Sequence, residues 1–417
     1  MSHREEEPGL FTETIQSINQ YWFGYGSATA LGLFRIFMAS LTTISLIMIS
    51  LDWDAWFSEK GYVPVVIAQR FISWREPIGF GTNWSLPRID ILSGVTDPRI
   101  GIAVFAGTVL AGTLTALGLW TRASSILFAL GLVSIQHRNA AILHGGDTVM
   151  RVCALYMAIA PSGAACSLDR LFGIWKGRLS QAPALVSMWP QRLISYNVAL
   201  LYLTTTWLKW GGGMWRDGTA TYYPARLAEF YKFPIPHWVN DFPMVYITTY
   251  GTLITEFALG TLVFFKPLRK YVLICGVLMH LHIELSMNIP LFSYLMVSTY
   301  ICFYDGDEVS GWASRLGKRL NKWSVKVHLP KASALTSNGS AFLGAIDPLE
   351  LVHYEAGTQD HWIATKSDGK VISVNGAINK RSIGSWIFGW IPGIWDKILP
   401  KAIESTPKGV DAEPKHH

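Results

Sequence analysis

Long apolar runs separated by short polar connections dominate the first 305 residues of the chain. A membrane helix needs roughly 20 mostly apolar residues. Eight runs approach that length: residues 28–51, 99–119, 122–136, 148–163, 192–210, 244–265, 270–287 and 290–305. The third and fourth are short, which suits a helix of little tilt or a locally thin bilayer. After residue 306 the pattern changes. HWIATKSDGKVISVNG (361–376) reads as two short strands around a Ser-Asp-Gly turn. SIGSWIFGWIPGIWDKIL (382–399) is Trp-rich and apolar on most faces. It is expected to pack as the core of a small domain, with a place in the membrane interface as the alternative. The end, STPKGVDAEPKHH, is polar and expected to be disordered. The pattern therefore predicts an all-α integral membrane bundle of about eight transmembrane helices over 28–305. An N-terminal cytoplasmic segment (1–27) precedes it and a small α+β soluble domain (306–417) follows it.

Composition strengthens the membrane reading. Charged residues are 15% of the chain and AVILMFWYC 50%, whereas typical globular domains carry about 25% charged residues. Eighteen tryptophans and sixteen tyrosines suit aromatic belts at two membrane interfaces. The formal charge of +6 does not point to nucleic acid, because Lys and Arg sit between apolar runs. With eight spans both termini share a side. That side receives Arg122, then Arg170, Lys176, Arg178 and Arg192, then Lys266, Arg269 and Lys270, then Arg315, Lys318, Arg319 and Lys322. By the positive-inside rule that side is cytoplasmic. The start, MSHREEEPGLF, is polar and acidic and lacks the pattern of a cleaved signal peptide. Cys153, Cys166, Cys275 and Cys302 make no C-x-x-C or His/Cys pattern. They read as small buried hydrophobes, with no metal site.

Polar residues inside the apolar runs are the candidate chemistry. Ionisable groups at membrane depth cost about 2.5–3.5 kcal/mol each on insertion scales and so face a bundle interior or a wet cavity. The eight-span arrangement gathers His144, Lys209 and the outer half of the run bearing His280, His282 and Glu284 on the face opposite the basic loops. Glu256 lies near the middle of the sixth run and Arg35 in the first. Each has a plain structural reading. Lys209, ending an apolar run between Trp207 and Trp210 before a Gly211–Gly213 triplet, has the form of a snorkelling anchor. Arg35 and Glu256 could be an interhelical ion pair. His280 and Glu284, four apart, share a helical face and could make one polar contact between helices. His144 could be a loop residue without a role. His280 and His282 face different sides of a helix, which argues against zinc.

Five segments, in order, carry a family resemblance: LGLFRIF (31–37), TALGLWTRASSILFAL (115–130), LHGGDTVMRVCALYMAIAPSGAACSLD (143–169), LKWGGGMWRDGTATYY (208–223) and MHLHIELSMNIPLFSYLM (279–296). Together they resemble the membrane part of vitamin K-dependent gamma-carboxylase and its bacterial relatives, the horizontally transferred transmembrane (HTTM) domain proteins, over about 28–305. The resemblance implies a bacterial inner-membrane protein with a site that uses a reduced quinone of the vitamin K or menaquinol type. Lys209 falls where the carboxylase keeps its proposed base, His280 matches a histidine of the later helix, and Glu256 an acidic position. His144 lies near a family histidine, within one or two residues of register. The implied catalytic set is Lys209, His280, His144 and Glu284, with Arg35, Trp210, Trp215 and Glu256 toward the cofactor. Burial disfavours the charged form of an amine, so a neutral Lys209 could accept a proton from a hydroquinone hydroxyl. The 112 residues after the bundle are too short for the carboxylase's propeptide-holding region. The implied partners are the lipid bilayer and a secreted peptide or protein. Three functions follow: a quinone-dependent carboxylase or epoxidase-like enzyme, a non-enzymatic factor for maturation, export or immunity of a secreted peptide, and, least favoured for want of inverted repeats, a carrier.

Overall fold

A computed structural model describes residues 10–64, 66–67, 91–92, 95–139, 142–230, 232–233, 236–239, 241–331, 333–374, 377–378 and 394–405. Most of the first long connection, the Trp-rich stretch up to residue 393 and the tail from 406 lie outside the described residues. The chain forms two compact units, residues 1–167 with 184–306, and residues 168–183 with 307–417.

The first unit is helical. Its main helices are α1 (Leu10–Phe23), α2 (Thr29–Ser50), α3 (Trp53–Trp56), α4 (Pro98–Leu117), α5 (Thr121–Arg138) and α6 (Gly145–Ile159). After α7 (Leu168–Trp175), which belongs to the other unit, come α8 (Trp189–Trp210), α9 (Gly213–Arg216), α10 (Phe242–Thr261), α11 (Lys266–Ser286) and α12 (Phe292–Thr299). Each of the eight apolar runs is helical, but among the described residues three segments are long and apolar enough to cross a membrane: Thr29–Ser50, Pro98–Leu117 and Phe242–Phe264. Phe292–Phe303 is apolar and shorter. The expected count of eight spans is therefore not reached by length and hydropathy. The reason is visible in the helices themselves. α6 has 15 residues, α8 carries Gln191, Arg192 and Lys209, and α11 carries Lys266, Arg269, Lys270, His280, His282 and Glu284.

Local signals set the helix ends. Asp97 caps α4 by accepting from the Arg99 amide, with Pro98 at the first helical position. Gly118 ends α4 at φ +68°, where a Cβ would also lie 2.4 Å from the Arg35 guanidinium, so only glycine fits. A short antiparallel ribbon joins β1 (Tyr25–Ser27) to β2 (Leu185–Ser187). The core is apolar and continuous, with Leu31, Phe34, Met38, Phe128, Leu132 and Leu295 among its fully covered side chains. Of the cysteines, Cys153 and Cys302 are buried in it, whereas Cys166 and Cys275 are exposed, against the expectation that all four are buried.

The second unit contains strands and helices. Residues 168–183, which the sequence assigns to the membrane bundle, belong here: Trp175 of α7 packs edge-on against Phe342. The unit continues through α13 (Gly306–Leu320), β3 (Val325–Leu329), β4 (Ser333–Leu335), α14 (Ser337–Ile346), β5 (Val352–Ala356), β6 (Ile363–Lys366), β7 (Val371–Val374), β8 (Ala377–Ile378), α15 (Ile394–Ala402) and β9 (Ile403–Ser405). Five strands form a sheet in the order β5-β3-β6-β7-β8, with β5 parallel to β3 and the rest antiparallel. The two strands expected around Ser-Asp-Gly are β6 and β7. Val325, Val327, Leu343, Trp362, Ala364 and Leu399 form the core.

Candidate functional site

The candidate site is built on one face of α8. Tyr202, Thr205 and Lys209 stand at i, i+3 and i+7, a spacing that aligns side chains on one side of a helix. Lys209 makes an ion pair with Glu256 of α10, and Thr205 donates to the other carboxylate oxygen at 3.3 Å. The carboxylate side chain is 8% exposed and the lysine 26%, so the pair has one buried and one partly open member. The Lys209 ammonium also lies over the Trp215 ring, 5.1 Å from its centre, a cation–π contact that the Gly211–Gly213 break permits by turning the chain back over the helix end.

About 10 Å further back along α8 (seven residues at the helical rise), Tyr202 enters a second polar group. Its hydroxyl is 2.8 Å from His280 Nε2 of α11 and 2.9 Å from the Tyr300 hydroxyl. All three residues are buried. His280 also meets Phe292 edge-on at 5.7 Å. Its Nδ1 is buried and finds no hydrogen-bond partner among the described residues. One turn later on α11, Glu284 pairs with Lys232, and its Oε2 is likewise buried without a partner. Buried polar atoms are nearly always satisfied, so two orphans on one helical face mark a place where a polar ligand or water belongs.

The structure thus brings together Lys209, Glu256 and Trp215, and sets His280 and Tyr300 on Tyr202, which shares the α8 face of Lys209. Glu284 follows His280 on α11 as the spacing predicts, but its partner is Lys232. The other candidates sit elsewhere. His144 is the N-cap of α6: its Nδ1 accepts from the Gly146 amide at 2.9 Å, and its own amide donates to Asp147 Oδ2 at 2.8 Å, a reciprocal capping box. Arg35 is fully buried and donates to the carbonyls of Ser162, Thr115, Ala116 and Cys166 at 2.5–3.1 Å. The ion pair envisaged between Arg35 and Glu256 gives way to Lys209–Glu256. Trp210 is exposed. Among the described residues no three His, Cys, Asp or Glu converge as a metal site.

The profile of the HTTM domain matches residues 74–307. The chain belongs to the HTTM family. No curated protein and no solved structure matches it. In this HTTM protein the match takes in Lys209, Glu256, His280, Glu284 and His144, while Arg35 and all of α2 precede it. With three apolar helices of crossing length, membership makes this a membrane protein. Sequence reasoning missed Tyr202, Tyr300, Thr205 and Lys232. Tyr202 and Thr205 carried a usable signal, their spacing from Lys209; Tyr300 and Lys232 reach the site through tertiary packing alone.

Proposed function

We propose that this HTTM protein is a membrane enzyme of the quinone-using, carboxylase-like type, in which the Lys209–Glu256 pair takes a proton from a phenolic hydroxyl. One observation carries the reading: an amine and a carboxylate are paired at the end of an apolar helix whose same face carries Tyr202, hydrogen-bonded to both Tyr300 and His280. The ammonium is held against a carboxylate, so the base in this reading is the ion pair rather than a neutral lysine alone. Glu256 holds the ammonium in place, Thr205 orients Glu256, and Trp215 covers the lysine from the loop side. Tyr202, further back on the Lys209 face, links Tyr300 to His280.

The donor set suits a reduced quinone of the vitamin K or menaquinol type. His280 Nδ1 and Glu284 Oε2 are polar atoms without partners among the described residues, and the His280 ring meets Phe292 edge-on. Lys209, Trp215 and Glu256 would hold one end of such a ring, and His280 and Glu284 would satisfy its second oxygen. A reduced quinone supplies an ionisable hydroxyl and two electrons. Arg35 and His144 serve the fold in this reading, the first as a post between carbonyls and the second as a helix cap. The topology that goes with it has all eight apolar helices crossing the bacterial inner membrane, both termini cytoplasmic and the Lys209 end extracytoplasmic, where a secreted peptide could be met.

The test uses protein in nanodiscs with vitamin K hydroquinone or reduced menaquinone. Oxygen-dependent epoxide should form with wild type and be lost in Lys209→Ala and Glu256→Gln. A folded wild type that makes no epoxide removes the enzyme reading, and a non-enzymatic part in maturation, export or immunity of a secreted peptide takes its place.

A further inference from the structure

The N-terminal helix has a feature that the candidate site does not use. In α1, Phe11, Ile15, Ile18 and Trp22 recur at i, i+4, i+7 and i+11, which places them within one narrow stripe. Glu13, Gln16, Ser17 and Gln20 occupy the opposite side. Phe11 is 78% exposed, and Ile15 and Ile18 are exposed as well, so the stripe is uncovered along its first two turns and meets the protein at Trp22.

What lies beside the stripe identifies what covers it. Trp22 stacks on Tyr196 at 5.2 Å, and Tyr196 stacks on Phe264 at 4.6 Å. Phe264 is the last residue of a segment long and apolar enough to cross a membrane, and Thr29, six residues after Phe23, is the first residue of another. The stripe therefore runs into an aromatic ladder at the level where two membrane-crossing segments end. Tryptophan and tyrosine concentrate at that level of a bilayer.

We infer that Leu10–Phe23 lies in the membrane interface, with the Phe11–Ile15–Ile18 stripe inserted among lipid chains and the Gln/Ser side toward water. An in-plane helix of this kind is held by its buried apolar side. Its polar side has no Lys or Arg, so attachment depends on insertion and is indifferent to anionic headgroups. The Arg192 guanidinium, over the Tyr21 ring at 3.9 Å, fixes the C-terminal end of the helix so that its rotation is set.

Single nitroxide labels at Phe11→Cys, Ile15→Cys, Ile18→Cys, Glu13→Cys, Gln16→Cys and Gln20→Cys test this in the full chain, with the exposed Cys166 and Cys275 changed to serine. Collision with oxygen, which partitions into lipid, is compared with collision against a water-soluble nickel chelate in zwitterionic nanodiscs. The oxygen-to-nickel ratio should be severalfold higher at 11, 15 and 18 than at 13, 16 and 20, and unchanged when anionic lipid is added. Equal nickel access at all six positions would place the helix in water and overturn the inference. Shielding of 11, 15 and 18 from both colliders would also overturn it, assigning the stripe to a second copy or another protein. A pattern that needs anionic lipid would overturn the charge-independent insertion.

Discussion

Arg35 and Lys209 are both cations held within the helical unit, and they are accommodated in opposite ways. Arg35 has no exposed surface and directs its planar fork at four backbone carbonyls from the end of α4 and the turn after α6. Those carbonyls belong to helix ends and turns, where acceptors lack intrahelical partners. One arginine satisfies several at once because its five donors are rigidly splayed. Lys209 has one principal partner, a carboxylate, and remains 26% exposed. The first arrangement has no proton to give or take and no way in. The second has two titratable groups and an opening. Burial of charge therefore does not by itself mark a reactive site; a titratable partner with access does.

The largest expected effect comes from breaking the Arg35 arrangement. Arg35→Leu leaves carbonyls stranded, each costing about 1–3 kcal/mol, so the purified bundle should lose its cooperative thermal transition and elute as aggregate. Arg35→Lys should rescue little, since one ammonium cannot span the four acceptors. Normal elution and melting of both variants would show the arginine to be dispensable. At Lys209 the expected outcome is different. Lys209→Met abolishes the proposed epoxidation while costing about 1–3 kcal/mol, because Glu256 is left without its partner but not wholly out of reach of water. The double variant Lys209→Met/Glu256→Leu should regain most of that stability and none of the activity. If the two changes simply add, the pair is not coupled in the fold.

The contrast also explains what the sequence made legible. Apolar runs announced α2, α4, α5, α6, α8, α10, α11 and α12, but not α1, α3 or α9. The number of membrane crossings was not legible, since α8 and α11 carry their polar site residues inside the very runs that would have to cross. Lys209 stood out through its local setting, a charged end to an apolar run before three glycines. Its partner did not, because Glu256 lies 47 residues away and nothing local distinguishes it from a partner of Arg35. Tyr202 could have been found by counting back along the Lys209 face. The α1 stripe is not legible as an apolar run because its four apolar residues alternate with Glu13, Gln16, Ser17 and Gln20.

His144 sharpens the comparison from the other side, as a polar residue within the matched domain whose visible contacts are those of a cap. Replacing a helix cap by alanine costs about 0.5–2 kcal/mol. His144→Ala should lower thermal stability by that amount, while His144→Asn or His144→Asp, which retain a capping acceptor, should restore it along with any epoxidation. Activity lost in His144→Asn at full stability would move His144 from the helix end into the chemistry.

The smallest effect concerns the same kind of pair placed in water. On the outer face of the C-terminal sheet Lys326 meets Glu355 at 2.8 Å, and His328 lies 3.8 Å from the same carboxylate. Their register is set by β3 running parallel to β5, with His328 opposite Glu355. The hydrogen bond from Lys326 holds the Glu355 carboxyl below its ordinary value of 4.5, with His328 and His353 adding to it. A depressed carboxyl stabilises the fold above the unfolded value and ceases to do so as pH falls through the folded one. The contribution is therefore present at neutral pH and fades below about pH 4.5, from the unfolded-state value downward. With both side chains nearly half exposed, it is weak and salt-screened. On acidification hydrogen exchange of Val352–Ala356 should slow slightly less than the intrinsic chemistry does, and Lys326→Met should remove that difference. Glu256, by contrast, should show no such salt dependence, because its partner and its burial shield it from the solvent that weakens Glu355.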